Sequence, residues 1–141
     1  ACDVSYEKGY LVLKRAWQPG DSVEIDFPME IRRVYADAKI HYNLGRVALC
    51  RGPVVYCIED ADFGMPVQQI ALPQEAELVE AEGGDLPRIT GQALAAVSEG
   101  QGELYTETPP KLIPVPFTAV PYYSWGNREA GGMLVYIREV R

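Results

Sequence analysis

The segment Val47–Asp60, VALCRGPVVYCIED, constrains the fold of this chain more than any other stretch. Two apolar runs rich in β-branched residues flank the breaker Arg51-Gly52-Pro53, a pattern typical of short buried strands. Proline has no amide hydrogen to donate and glycine tolerates unusual backbone angles, so the chain should bend or step at the breaker. The sequence therefore predicts strands at Val47–Arg51 and Val54–Glu59, with Arg51 and Pro53 holding the bend.

Two of the three cysteines, Cys50 and Cys57, lie in these strands and raise the question of a reactive site. A structural zinc site would use a CxxC pair or a Cys/His cluster, and the sequence has neither. The one histidine, His41, precedes Cys50, but no third group that would orient a Cys–His pair is identifiable. Because free cysteine is among the most buried residue types, we expect Cys50 and Cys57 to be reduced, mostly buried and unbonded to each other.

Composition argues against several function classes. A net charge of −7 over 141 residues disfavours nucleic-acid partners, which need clustered lysine and arginine, and disfavours an anionic membrane surface. No apolar run approaches the ~20 residues that span a bilayer. The odd number of cysteines does not form a disulfide framework, so a reducing, cytoplasmic location is the simpler expectation. A hydrophobic content of 48% fits a single globular domain over residues 1–141.

Short strands separated by turn signals fill most of the chain. Tyr10–Trp17 and the alternating residues 22–29 predict a hairpin, joined by a type II turn at Gln18-Pro19-Gly20-Asp21. In its second strand, one face carries Val23, Ile25, Phe27 and Met29. Further strands are predicted at Ile31–Tyr35, Ile70–Leu72, Ala76–Val79, Ile89–Val97, Leu112–Val120 and Met133–Val140.

This pattern predicts an all-β fold, specifically an antiparallel, jelly-roll-like β-sandwich with few or no helices. The prolines within Leu112–Val120 place that strand at a sheet edge. Acidic charge and paired glycines make Glu80–Pro87 a flexible loop, and Glu99–Glu107 is predicted as a second loop.

The carboxylates Glu59, Asp60 and Asp62 form the densest acidic group, and paired carboxylates carry out glycosidase chemistry. They lie where a strand runs out into a loop, so we expect solvated charges and predict no catalytic residue and no metal ligand. The sequence also lacks a GxSxG nucleophile motif and a phosphate-binding loop.

An aromatic cluster near the C-terminus is the most suggestive feature for binding. Flat aromatic rings stack on sugars, whereas the same residue types also anchor cores and domain interfaces through an apolar body and a polar tip. A neighbouring arginine could donate to sugar hydroxyls, or pair with a carboxylate or backbone carbonyl to fix its loop. The candidate carbohydrate or domain-interface contacts are Trp17, Tyr122, Tyr123, Trp125, Asn127 and Arg128.

Four segments together resemble the C-terminal β-sandwich region of the β-L-arabinofuranosidase-like proteins, glycoside hydrolase family 127. These segments are Gly9–Met29, Arg32–Asp37, Gly45–Asp60 and Pro121–Arg138. The most specific matches are the RGPVVYCIE run and the PYYSWGNR run with its following GGMLV. The resemblance is thin between Phe63 and Pro110.

The resemblance implies that the chemistry belongs elsewhere in the family's long proteins. There a helical (α/α) barrel carries a zinc-bound cysteine nucleophile, further cysteine and glutamate ligands, and a glutamate acid/base. None of those motifs occurs in this chain, so the resemblance implies no cofactor in this domain. Cys50 and Cys57 match the family's sandwich strands and do not inherit the nucleophile's role.

The first residues, Ala1-Cys2-Asp3-Val4, suggest a cut into a longer chain, and the resemblance implies its C-terminal part. Our first hypothesis is a non-catalytic accessory domain of a glycosidase, with its own catalytic (α/α) barrel or a second copy in a homodimer as partner. The alternative is a carbohydrate-binding module that uses the exposed aromatics. An independent small hydrolase using His41 is the third hypothesis.

Overall fold

The computed structural model describes residues 3–81, 86–98 and 104–141. Within these ranges the regular structure is β-strand, apart from short 3₁₀ turns at His41–Asn43, Asp60–Asp62, Val67–Gln69 and Tyr122–Ser124. The prediction of an all-β fold is confirmed. None of the helices among these residues is long and apolar enough to cross a membrane.

The strands are β1 (Asp3–Glu7), β2 (Tyr10–Lys14), β3 (Ile31–Val34), β4 (Arg46–Arg51), β5 (Val54–Glu59), β6 (Ile70–Pro73), β7 (Leu78–Ala81), β8 (Arg88–Val97), β9 (Lys111–Pro121), β10 (Met133–Leu134) and β11 (Ile137–Val140).

Six strands close into a barrel, in the order β4–β5–β9–β8–β6–β11 and back to β4. Every pair in this ring is antiparallel except β11–β6, which is parallel. The outer strands β3, β10 and β7 pair with β4, β5 and β8. The predicted jelly-roll-like sandwich is therefore corrected: because β4 pairs with both β5 and β11, the sheet closes on itself instead of forming two stacked layers.

Alternate residues of the ring strands fill the barrel interior, and large side chains are combined with small ones. Tyr56, Ile58 and Phe117 belong to the same buried cluster as the alanines Ala93 and Ala95. Alanine favours helices in isolation, but here it leaves room for the neighbouring rings, so packing decides in favour of the strand. The prediction of a strand at Ile89–Val97 is confirmed by β8.

The hairpin β4–β5 confirms the two strands predicted at the RGP breaker. The pair Arg51↔Val54 leaves Gly52-Pro53 as a two-residue loop, and Gly52 has a φ of +53°. Arg32 Nη2 donates to the Gly52 carbonyl at 2.9 Å. Arg51 instead pairs with Glu80, with Nη2 2.6 Å from Oε2, so the arginine bonded to the bend is Arg32 and not Arg51.

The strand predicted at Leu112–Val120 is confirmed by β9, and part of β9 is a sheet edge. β9 pairs with β8 along Lys111–Ala119, but β5 joins its other side only at Val120 and Pro121. Among the described residues, Pro114 and Pro116 thus lie where β9 has a strand on one side only. Their missing amide hydrogens cost no ladder bond on the unpaired side.

The N-terminal hairpin differs from its prediction. β2 pairs with β1 and not with residues 22–29, because Lys8 and Gly9 both have positive φ and form the tight two-residue loop between Glu7 and Tyr10. The predicted turn at 18–21 does form, with Asp21 N donating to Gln18 O at 3.1 Å and Gly20 at φ +95°. In the described part of the chain, residues 22–29 belong to no strand.

Two predicted loops extend beyond the described residues. Glu80–Pro87 includes residues 82–85, and Glu99–Glu107 includes residues 99–103, all of which lie outside them. The same is true of Cys2.

Candidate functional site

Residues 122–132, which follow β9, contain five of the six candidate contact residues. The segment begins with the 3₁₀ turn Tyr122–Ser124, in which Trp125 N donates to Tyr122 O at 3.1 Å. The Ser124 hydroxyl is buried and donates to Pro121 O at 2.7 Å. A small hydroxyl side chain thus holds the turn from inside, while the aromatic residues around it remain at the surface.

Arg128 fastens this segment to the end of β5 through two carboxylates. Its Nη1 and Nη2 donate to Asp62 Oδ1 and Oδ2, each at 2.6 Å. Its Nε donates to Glu59 Oε2 at 3.2 Å, and Nη2 also pairs with that oxygen. The other Glu59 oxygen accepts from Gly126 N at 2.9 Å. We call Arg128, Glu59 and Asp62 the clamp.

The clamp is an ion-pair network whose two carboxylates are shielded from water, whereas Arg128 lies at the surface. Glu59 is only 4% exposed. The hydrogen bond to Asp62 is the main cause that raises the pKa of Arg128, the hydrogen bond to Glu59 adds to it, and burial opposes it. Arg128 therefore stays charged, and the two carboxylates keep their counter-ion.

Asp60 fastens the far end of the same segment. Its Oδ2 accepts from Gly132 N at 2.6 Å and its Oδ1 accepts from Val67 N at 2.7 Å, while Asp60 N donates to Gly132 O at 3.0 Å. The expectation that Glu59, Asp60 and Asp62 are solvated charges is therefore wrong. Arg128 lies 66 residues beyond Asp62, so local sequence gives no sign of the pairing.

Tyr122 and Trp125 form a stacked pair at the surface. Their ring centroids are 6.3 Å apart with planes inclined by 13°, and each residue is 47% exposed. Tyr123 is exposed beside them, and Asn127 is exposed with its backbone N donating to Ser124 O at 3.3 Å. The fixed, half-exposed rings suit contact with a flat partner surface.

Two of the six candidate contact residues, Arg128 and Trp17, do not join the exposed aromatic residues in one binding cluster. The clamp confirms the pairing of Arg128 with carboxylates. Trp17 follows β2, is exposed and has the Arg15 guanidinium 5.2 Å from its ring centre. Among the described residues, Trp17 makes no ring contact with Tyr122, Tyr123 or Trp125.

Cys50, Cys57 and His41 show no catalytic arrangement. Cys57 is fully buried, and burial, with a smaller contribution from the Glu59 carboxylate, raises its pKa to about 11. Cys50 is half-buried, and both thiols are free, as predicted. His41 is exposed, and it shares no hydrogen bond with Cys50 or Cys57 in the part of the chain that the structure describes. Within residues 3–81, 86–98 and 104–141, no group of three His, Cys, Asp or Glu side chains could hold a metal ion.

A second network, which no local sequence signal predicts, involves the Arg32–Asp37 motif. Glu139 Oε1 accepts from Arg33 Nη1 at 3.1 Å and from the Tyr35 hydroxyl at 2.8 Å. Arg33 Nη2 also donates to Pro73 O at 2.9 Å. The hydrogen bond to Glu139 raises the pKa of Tyr35. The network joins β3, β6 and β11, so this motif has a structural role.

The chain is similar to proteins of one known family over nearly its whole length. The model of the glycoside hydrolase family 127 C-terminal domain matches residues 31–138. A non-reducing end β-L-arabinofuranosidase of Bifidobacterium longum subsp. longum is 33% identical over 95% of this chain. The chain spans only 22% of the length of that relative.

Solved structures of the same family superpose on the chain. Ara127N-Se, a GH127 β-L-arabinofuranosidase from Geobacillus stearothermophilus T6, matches with a TM-score of 0.85 and 39% identity. That match covers 96% of this chain and 22% of the other. A second GH127 β-arabinofuranosidase matches with a TM-score of 0.82 and 31% identity over 98% of this chain and 22% of its own. This chain belongs to glycoside hydrolase family 127, and its residues 31–138 are the C-terminal domain of that family.

Proposed function

We propose that this chain is a non-catalytic accessory domain that supports the catalytic part of a β-L-arabinofuranosidase-like glycoside hydrolase. The observation that carries the proposal is the coverage: nearly all of this chain matches only 22% of each relative. The partner is the chain's own catalytic (α/α) barrel, and homodimerisation through the same domain is the further supporting role.

The hydrogen bonds of Glu59, Asp60 and Asp62 indicate that these carboxylates have a structural role and do not carry out hydrolysis. In most glycosidases two carboxyl groups flank the scissile bond, one as an acid and one as a nucleophile or base. Here Glu59 and Asp62 both bind the guanidinium of Arg128, and Asp60 is occupied by two backbone amides. Carboxylates held in this way leave no free acid–base pair for a substrate.

The thiols support the same conclusion. A nucleophilic cysteine needs a lowered pKa and access to substrate, whereas Cys57 has a raised pKa and no exposed surface. The resemblance places zinc chemistry in the catalytic part of the family's proteins, and the described residues of this chain offer no cluster that would hold it. A cytoplasmic location is part of the proposal, supported by the free thiols Cys50 and Cys57.

The stacked rings of Tyr122 and Trp125 form a surface suited to contact with the catalytic part of the protein. Aromatic residues are enriched in protein interfaces, and side chains that are ordered before binding lose less entropy on association. Tyr122 and Trp125 are held in this way, because their turn is fastened by Ser124 and by the clamp.

The same near-parallel, half-exposed rings motivate the second candidate, a carbohydrate-binding role. Titration of the chain with arabino-oligosaccharides, followed by NMR of the Trp125 indole, separates the two. Saturable shifts that disappear in Trp125→Ala would favour sugar binding, and unchanged spectra would leave the interface role.

The proposal is tested by the activity of two forms of the protein, which are this chain alone and the long polypeptide that would join it to the catalytic barrel. The isolated chain is expected to be inactive on aryl β-L-arabinofuranosides, and the long polypeptide active. Deletion of residues 31–138 from the long polypeptide should lower the yield and melting temperature of what remains. Activity of the isolated chain that Cys50→Ser or Cys57→Ser abolishes would overturn the proposal.

A further inference from the structure

The strand β9 has one side that no other strand covers over most of its length. β8 pairs with it from Lys111 to Ala119, whereas β5 reaches its other side only at Val120 and Pro121. Among the described residues, no other strand pairs with β9. We call this uncovered side, along residues 112–119, the open edge. An open edge normally offers a row of amide and carbonyl groups to which another strand can add.

The backbone groups of the even-numbered residues in β9 face the open edge. In an antiparallel strand the N–H and C=O of one residue point to the same side, and successive residues alternate. The ladder with β8 continues without a gap past Pro114 and Pro116, which have no amide hydrogen to donate. The backbone of both prolines must therefore be directed away from β8. Val120, which is also even-numbered, pairs with Cys57 of β5 on that side.

The two prolines remove half of the hydrogen-bond donors from the open edge. The residues that face it are Leu112, Pro114, Pro116 and Thr118, and only Leu112 and Thr118 carry an amide hydrogen. Among the described residues, neither of these two amides donates to a backbone carbonyl in a turn or loop. A strand that added here would leave its own carbonyl unpaired opposite each proline, and the ring would occupy the place of the missing hydrogen.

The composition of β9 would otherwise favour the addition of a strand. Residues 112–121 contain no charged side chain and are rich in apolar and β-branched residues. Leu112 and Ile113 are 45% and 40% exposed. Uncharged segments of high β-propensity on an exposed edge associate with other chains, unless charge or proline interrupts them.

The outer strands β3, β7 and β10 carry a different protection. β3 has Arg32 and Arg33 among its four residues, β7 includes Glu80, and β10 is only two residues long. Charges and short length are common means by which sheet edges avoid unwanted pairing. β9 has eleven residues, and its one charged residue, Lys111, is at its first position. Proline is therefore the protection that the rest of this strand has.

We infer that Pro114 and Pro116 prevent the open edge of β9 from pairing with a strand of a second copy of this chain. They do so by removing amide donors, and the fold tolerates them because β8 does not need those donors. This role concerns the association of chains and goes beyond the proposed accessory function. Replacing both prolines restores the donors and is expected to convert the open edge into a self-association site.

Sedimentation velocity of the double variant Pro114→Val, Pro116→Val tests the inference. At about 100 μM its weight-average mass is expected to be roughly twice that of the parent chain or more, because valine supplies the missing amide and favours strands. The matched control replaces Pro66 and Pro109, two exposed prolines outside the strands, with valine and should keep the parent's mass. Adding Leu112→Lys to the double variant should restore the parent's mass, because charge on an edge opposes pairing.

Amide hydrogen exchange followed by NMR locates the contact. In the parent chain the amides of Leu112 and Thr118 are expected to exchange about 100-fold faster than those of Ile113 and Val115, which face β8. In the double variant the protection of Leu112 and Thr118 should rise with protein concentration, since the open edge is then paired with a second chain. Equal protection of all four amides in the parent would show an edge that is already paired, and would overturn the inference.

Circular dichroism establishes that each variant is folded. A folded double variant with the parent's mass would overturn the inference, and so would equal association of the control variant. If the double variant does not fold, the single substitutions Pro114→Val and Pro116→Val, each of which restores one donor, are compared with the parent by the same measurements, and the exchange pattern of the parent decides on its own. None of these outcomes depends on hydrolysis, so the accessory function is tested separately by activity.

Discussion

The barrel and the N-terminal residues 3–29 bury their apolar side chains in opposite ways. In the barrel the ring of strands closes, and residues such as Phe117 are 1% exposed. In the N-terminal region the strands pair only with each other, and Phe27 is 72% exposed. The change from exposed to buried apolar side chains therefore lies near residue 31, where the match to the family's C-terminal domain begins. The following predictions test that difference.

The largest difference in stability is expected between removal of a phenylalanine ring from the barrel and removal of one from the N-terminal region. Phe117→Ala should lower the free energy of unfolding of the isolated chain by about 3–5 kcal/mol, since it leaves a cavity in the core. Phe27→Ala should change it by less than about 0.5 kcal/mol, because that ring is exposed. Urea denaturation followed by circular dichroism measures both. Equal losses would show that Phe27 packs on the barrel.

The arginine ion pairs provide the second contrast. Arg128→Met should cost about 3 kcal/mol of unfolding free energy, because it leaves Glu59 buried beside Asp62 without a counter-ion. Arg15→Met removes the 3.0 Å pair with Asp21 in the N-terminal region and should cost less than about 1 kcal/mol. Denaturation in low and high salt measures both. A small loss at Arg128 would contradict the clamp.

The pH dependence of stability reports the burial of Cys57. Its pKa is raised from 9.0 to about 11, so the folded chain holds this proton more tightly than the unfolded chain. The resulting stability is fully present below about pH 9 and is lost as the pH rises through 11, about 2 kcal/mol in all between pH 8 and 11. Cys57→Ala should remove this part of the alkaline slope, and Cys50→Ala should keep it. The same slope in both variants would contradict the assignment.

The smallest effect is expected at the glycine turns. Gly52→Ala should cost about 1–2 kcal/mol, because φ is +53°. The flexible side chain of Met29, whose Sδ lies where a Cβ would be added, can move away, so we expect this contact between the N-terminal region and the barrel to add little. Gly20 also has positive φ, but it lies in the N-terminal region and a Cβ there meets no atom within 4 Å. Gly20→Ala should leave the barrel's unfolding midpoint unchanged. A shift as large as that of Gly52→Ala would couple the two regions.

The sequence predicts those elements whose signals are local. The RGP breaker, the strand pair around it, the turn at 18–21 and the buried thiols all follow from neighbouring residues. The closure of the barrel does not, because it depends on β11 returning to β4 from the end of the chain. The clamp escapes prediction for the same reason, since Arg128 reaches carboxylates more than sixty residues earlier.

Residues 22–29 are a different case. Their alternation predicts a strand with one buried face, but among the described residues this segment forms no strand and Phe27 is 72% exposed. Alternation by itself does not supply the neighbouring strand that a β-strand needs.

The most direct test of this contrast is the melting temperature of the isolated chain in two variants, Phe117→Ala and Phe27→Ala, each compared with the parent sequence. We expect a loss of several degrees for Phe117→Ala, because the ring is 1% exposed and fills the core of the barrel. We expect a shift of less than about 1 °C for Phe27→Ala, because its ring is 72% exposed. Equal shifts in the two variants would contradict the account.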